Sequence, residues 1–102
     1  MTDANIEALL AATGLNSDHR ETIERIFTHP PSANVEWRQV QSLLEALGAT
    51  TREHNGKLRV DLGGEVEVFD PPRGKDIDQQ MLVDLRRMLS RAGDVFVRTR
   101  PL

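Results

Sequence analysis

The sequence predicts an α+β fold, a two-layer sandwich in which two helices cover one face of a three-stranded antiparallel sheet. Three observations carry that prediction. Apolar residues recur at helical spacing up to Leu47 and again from Met81 onward. Between those stretches the period drops to two, as it does in half-buried strands. Two tight-turn signals, Asn55-Gly56 and Gly63-Gly64, divide the two-period stretch. A sheet this small needs cover on one face, and each long helix carries an apolar stripe suited to supply it.

Each element has its own signature. Ile6, Leu9 and Leu10 give a short amphipathic helix over 3–12, stopped at Gly14. Asp18, followed three residues on by Glu21, reads as a capping-box start for a second helix. Its stripe is Ile23, Ile26 and Phe27, and Pro30-Pro31 ends it. Asn34 or a neighbour caps the next helix, in which Trp37, Val40, Leu43, Leu44 and Leu47 line one face until Gly48 closes it. Trp37 reads as a core anchor.

After Gly48 the Thr-rich segment 49–54 makes a first strand. Leu58, Val60 and Leu62 alternate with Arg59 and Asp61 as a second. Val66 and Val68, alternating with Glu65, Glu67 and Phe69, make a third. Pro71-Pro72-Arg73-Gly74-Lys75 is a loop, and Asp78 is placed to cap the last helix. Leu82, Leu85 and Leu89, with Met81 and Met88, supply its buried face, and Gly93 is its expected terminator. The segment from Val95 to Arg100 has strand-like composition and leaves three fates open: an edge strand, a strand in a partner's sheet, or a disordered end.

Composition bounds the function. At 102 residues the chain fits one compact domain. It has no Cys, which excludes a disulfide framework, thiolate-bound zinc and thiol catalysis. The acidic start MTDANIEALL lacks the cationic region of a signal peptide. No apolar run approaches the roughly 18 residues of a membrane span. The expectation is a cytoplasmic protein with no membrane partner. The net charge is −3, but it is uneven: residues 1–50 sum to −4 and residues 51–102 to +1. The late cations, from Arg73 to Arg100, admit a small phosphate-facing patch as well as a plain solvated helix face.

Spacing alone does not produce an enzyme. His19, His29 and His54 lack metal-ligand spacing, so no metal or cofactor is expected. No nucleophile elbow surrounds any Ser, and Gly74-Lys75 lacks the frame of a P-loop. His54, beside the Asn55-Gly56 turn and near the basic half, is the imidazole best placed to act as acid or base.

A resemblance sharpens this reading. Residues 20–93 hold a helix ending Phe27-Thr28-His29-Pro30, then Ser32-Ala33-Asn34-Val35-Glu36-Trp37, then a helix ending Leu47-Gly48-Ala49. A strand Val66-Glu67-Val68-Phe69 follows, then a Pro-rich loop with Gly74-Lys75-Asp76-Ile77 opening the last helix. In this order the segments resemble the longer members of the HicA toxin family, mRNA interferases of type II toxin–antitoxin systems. The Ser-Ala-Asn-x-x-Trp and Gly-Lys-Asp segments carry the likeness jointly. The resemblance implies a double-stranded-RNA-binding-like αβββα fold, an RNA partner, an antitoxin-like protein partner and RNA endonuclease activity. In shorter family members a His after Gly-Ser at the start of the second strand is catalytic; here Lys57 stands at or next to that position. The loop before Gly74 also has no His.

That departure sets the functional expectation. Metal-free RNA cleavage needs a base near neutral pKa to take the 2′-OH proton. A lysine, with an ordinary pKa of roughly 10.4, is a poor base but stabilises phosphate charge well. The expectation is therefore a HicA-like, RNA-binding protein, weak or degenerate as a nuclease. Lys57 and His54 are its candidate catalytic residues. Lys57, Arg59, Arg73, Lys75, Arg86 and Arg87 are its candidate RNA contacts. The alternative is a non-enzymatic protein-interaction domain, which the net charge of −3 favours. By segment, 1–16 is a helical extension, 17–95 the αβββα domain with its preceding helix, and 96–102 a tail.

Overall fold

The computed structural model describes residues 15–28, 35–53, 55–62 and 64–99. The helix expected over 3–12, and the residues His29, Asn34 and His54, lie outside them. Three helices and one sheet run in the order α1 (Ser17–Phe27), α2 (Trp37–Leu47), β1 (Ala49–Arg52), β2 (Leu58–Leu62), β3 (Glu65–Phe69) and α3 (Gln79–Thr99). The sheet is an antiparallel meander, β1-β2-β3, with β2 central. From α2 onward this is the αβββα α+β architecture expected from the sequence.

Strand alternation sets the layers. Leu58, Val60 and Leu62 are buried on one side of β2, while Arg59 and Asp61 are exposed on the other. The inward set joins one core with Val40, Leu43 and Leu44 of α2 and Leu85, Met88 and Leu89 of α3. Helix α2 lies against β1 and α3 against β3. Helix α1 packs on both helices, adding the fully buried Ile23 and Ile26 to the same core. Each such side chain contributes about 1.5–3 kcal/mol by leaving water. Trp37 packs at the margin of this core, as an anchor would.

The caps differ in part from expectation. Asn16, not Asp18, caps α1: its Oδ1 accepts from the His19 N–H at 2.9 Å, and His19 Nδ1 accepts from the Asn16 N–H at 3.3 Å. The helix begins two residues earlier than the Asp18–Glu21 pattern suggests, and a His replaces the usual Glu of the box. In α2 the cap is Glu36, whose N–H donates to Gln39 Oε1 at 3.2 Å. Asp78 caps α3 as expected, its Oδ1 accepting from the Met81 N–H at 2.8 Å.

Three further differences have local causes. The β1–β2 connection is a three-residue loop, not a two-residue Asn-Gly turn. Gly56 N–H donates to Glu53 O at 3.0 Å, and Glu53 N–H to Lys57 O at 2.8 Å. Gly56 takes a positive φ, 85°, and Asn55 does not, whereas the two-residue turn would require one at both. Gly48 ends α2 in extended backbone, at φ −152°, so the chain passes straight into β1. Finally, α3 does not stop at Gly93 but continues to Thr99, across the 95/96 boundary and through the segment with strand-like composition. Gly93 is buried within the helix beside Ala92. A mid-helix Gly costs only about 1 kcal/mol relative to Ala, which a helix anchored by Leu85, Met88 and Leu89 tolerates.

Candidate functional site

The strand register gathers one group of the expected site residues. Arg52 pairs with Leu58, and Leu58 with Phe69. The β1–β2 loop bearing Lys57 and the loop leaving Phe69 are therefore at the same end of the sheet. That second loop, 70–78, carries Arg73 and Lys75, both exposed. Its far end is tied to the start of α2. Trp37 N–H donates to Lys75 O at 2.9 Å, Ile77 N–H donates to Val35 O at 2.9 Å, and Glu36 and Asp76 form an antiparallel bridge.

Lys57 is fixed at the backbone, where its N–H donates to Asn55 Oδ1 at 3.1 Å. Among the described residues, the side chains of Lys57, Arg59, Arg73 and Lys75 make no ion pair. Arg59 stands apart from the other three, on the open face of the sheet between Thr51 and Val68. Glu53, Asp70 and Asp76 share the loop end and temper its positive charge. His54, the second catalytic candidate, adjoins this cluster in sequence but lies outside the described residues.

The other two expected contacts are engaged elsewhere. Arg86 Nε donates to Ile26 O at 2.6 Å and its Nη2 to Thr28 O at 3.0 Å. Both acceptors are carbonyls at the C-terminal end of α1, which has no intrahelical donors for them. Arg86 is thus a clamp that closes α1 onto α3. Arg87 lies 3.0 Å from Asp84 and 3.8 Å from Glu67. Residue type and the family resemblance nominate both as RNA contacts. Nothing local signalled that one of them reaches back about sixty positions to a helix end.

Away from these loops, a groove of about 380 Å³ between α1 and α2 includes Asp18, His19, Arg25, Arg38 and Ser42 in its lining. His19 Nε2 and Ser42 Oγ are 2.8 Å apart, which invites a nucleophile–base reading. The hydrogen-bond pattern opposes it. His19 Nδ1 accepts from the Asn16 amide, so the neutral ring carries its proton on Nε2 and donates to Ser42. A general base needs the reverse polarity, with Nδ1–H held by a carboxylate. His19 instead joins the cap of α1 to the side of α2. His19→Ala is expected to lower stability by about 1 kcal/mol and Ser42→Ala by less, as read from urea midpoints.

Among the described residues no three metal-ligating side chains cluster, and no helix is long and apolar enough to cross a membrane. No family model, curated protein or solved structure matches the chain.

Proposed function

We propose that this chain is an RNA-binding protein of the HicA-like kind, retaining phosphate contacts and lacking an efficient general base. The observation that carries the reading is that the loops bearing Lys57, Arg73 and Lys75 lie at the same end of the sheet. That end is built by bridging 35–37 to 75–77, and these are parts of the two segments on which the family likeness rests. Three cations without carboxylate partners among the described residues suit successive phosphates of a backbone. Lys57 would neutralise charge on a phosphate oxygen, and His54 is the imidazole nearest in sequence for proton transfer. Contacts of this type read backbone and shape more than base sequence.

Fluorescence anisotropy with a labelled RNA hairpin and its single strand tests the proposal. Binding is expected at low salt, weakening steeply as salt rises. With three phosphate contacts, log K should fall with log salt at a slope of about −2 to −3. Lys57→Ala is expected to flatten that slope by nearly one. Denaturing gels should show little cleavage, and any that occurs should vanish in Lys57→Ala or His54→Ala. Absence of binding at low salt would overturn the reading. It would leave the alternative of a protein-interaction domain, favoured by the exposure of Val66 and Val68 on the open sheet face.

A further inference from the structure

Strand β3 is an edge of the sheet, and its two inward-pointing charges, Glu65 and Glu67, are each paired with an arginine of α3. It has no Pro, no Lys and an unbroken five-residue register with β2. Among the described residues, no backbone hydrogen bond reaches it from anywhere but β2. Val66 and Val68 stand on the open face, 48% and 51% exposed.

The covered face of the same edge is charged. Glu65 lies 3.3 Å from Arg91 and Glu67 3.8 Å from Arg87. Both guanidinium side chains come from α3 and remain about half exposed, at 56% and 49%. A strand added beside β3 would therefore meet valines on one face and two half-exposed arginines on the other. The matching strand alternates carboxylates with aliphatic side chains. In this chain Glu65-Val66-Glu67-Val68 is the one stretch with that pattern.

We propose that β3 pairs antiparallel with β3 of a second copy, joining two three-stranded sheets into one of six strands. An antiparallel pairing of identical strands is two-fold by construction, which makes the contact self-complementary. Residues opposite each other must share a face, so full overlap sets Glu67 against its own counterpart. Val66 then faces Val68 of the second copy, and Glu65 faces Phe69. The four valines form one apolar patch. Beneath them, four glutamates meet four arginines, with the central glutamates flanked by the two Arg87 side chains. Main-chain hydrogen bonds would supply most of the affinity. The contact is well below the roughly 800 Å² per partner of a standard interface, so the dimer is weak and concentration-dependent. It does not depend on the RNA reading.

Sedimentation velocity over about a hundredfold range of concentration should show the mass moving from 11.5 kDa toward twice that value. Val66→Lys with Val68→Lys should hold the protein monomeric while circular dichroism stays unchanged. The Cys-free background permits a register test. Under mild oxidation Glu67→Cys should give a disulfide-linked dimer, and Val66→Cys alone should not. Val66→Cys mixed with Val68→Cys should cross-link again. A monomer at every concentration overturns the proposal. So does a dimer indifferent to the lysine variants, or equal cross-linking at all three positions.

Discussion

Gly48→Ala is expected to destabilise the fold by about 1–3 kcal/mol, the range for overpacking a closely fitted site. Gly48 is the single residue between α2 and β1. Its backbone is extended, so left-handed strain is not the issue; space is. A Cβ there would sit 2.7 Å from Asp61 O and 3.0 Å from Leu62 Cδ1. The oxygen belongs to the backbone of the central strand and cannot swing aside. Either β1 separates from β2 or α2 shifts off its packing, and both movements cost core contact. Gly74→Ala is the control, because a Cβ at Gly74 meets nothing within 4 Å. Its effect should lie within about 0.5 kcal/mol of zero. Urea unfolding of both variants measures the difference. Equal midpoints would remove the close approach as the reason for glycine at 48.

The same residue shows how far the sequence can be read. Gly48 marks the end of a helix in the one-dimensional pattern, but its contact with β2 comes from a pairing that no window of ten residues contains. The β2 alternation of Leu58, Val60 and Leu62 was legible because its inward side is purely aliphatic. In β3 the alternation reveals a strand and conceals its phase. The valines face outward, and Glu65 and Glu67 face the helix layer with Phe69. Hydrophobicity alone would favour the opposite phase. It is overridden because α3 supplies Arg87 and Arg91 to the carboxylates and because Phe69 pairs with Leu58 on the core side. Both reasons are non-local. The cations follow the same logic: residue type nominated six, and only tertiary contacts separate Arg86, spent on a helix end, from Arg73 and Lys75 on an open loop.

That separation yields a paired prediction in which stability and RNA affinity change independently. Arg86→Ala removes two charge-assisted hydrogen bonds to the carbonyls of Ile26 and Thr28. The expected cost is about 2 kcal/mol, since hydrogen bonds to charged groups are worth about 1.5–3 kcal/mol and one of these is solvent-exposed. RNA affinity of the remaining folded protein should change less than about twofold, because no phosphate contact is lost. Arg73→Ala with Lys75→Ala should do the reverse. Neither side chain has an ion-pair partner among the described residues, so the urea midpoint should barely move. Affinity at low salt should fall about ten- to a hundredfold, and the salt slope should flatten by nearly two. Urea titration and anisotropy on the same preparations give both readouts. A stable Arg86→Ala that loses RNA would place the binding surface on the α3 side, away from the 70–78 loop. Unchanged affinity in the Arg73 and Lys75 double variant would remove the 70–78 loop from the interface. The contrast is informative because all three cations are equivalent in composition and differ only in what the fold leaves beside them.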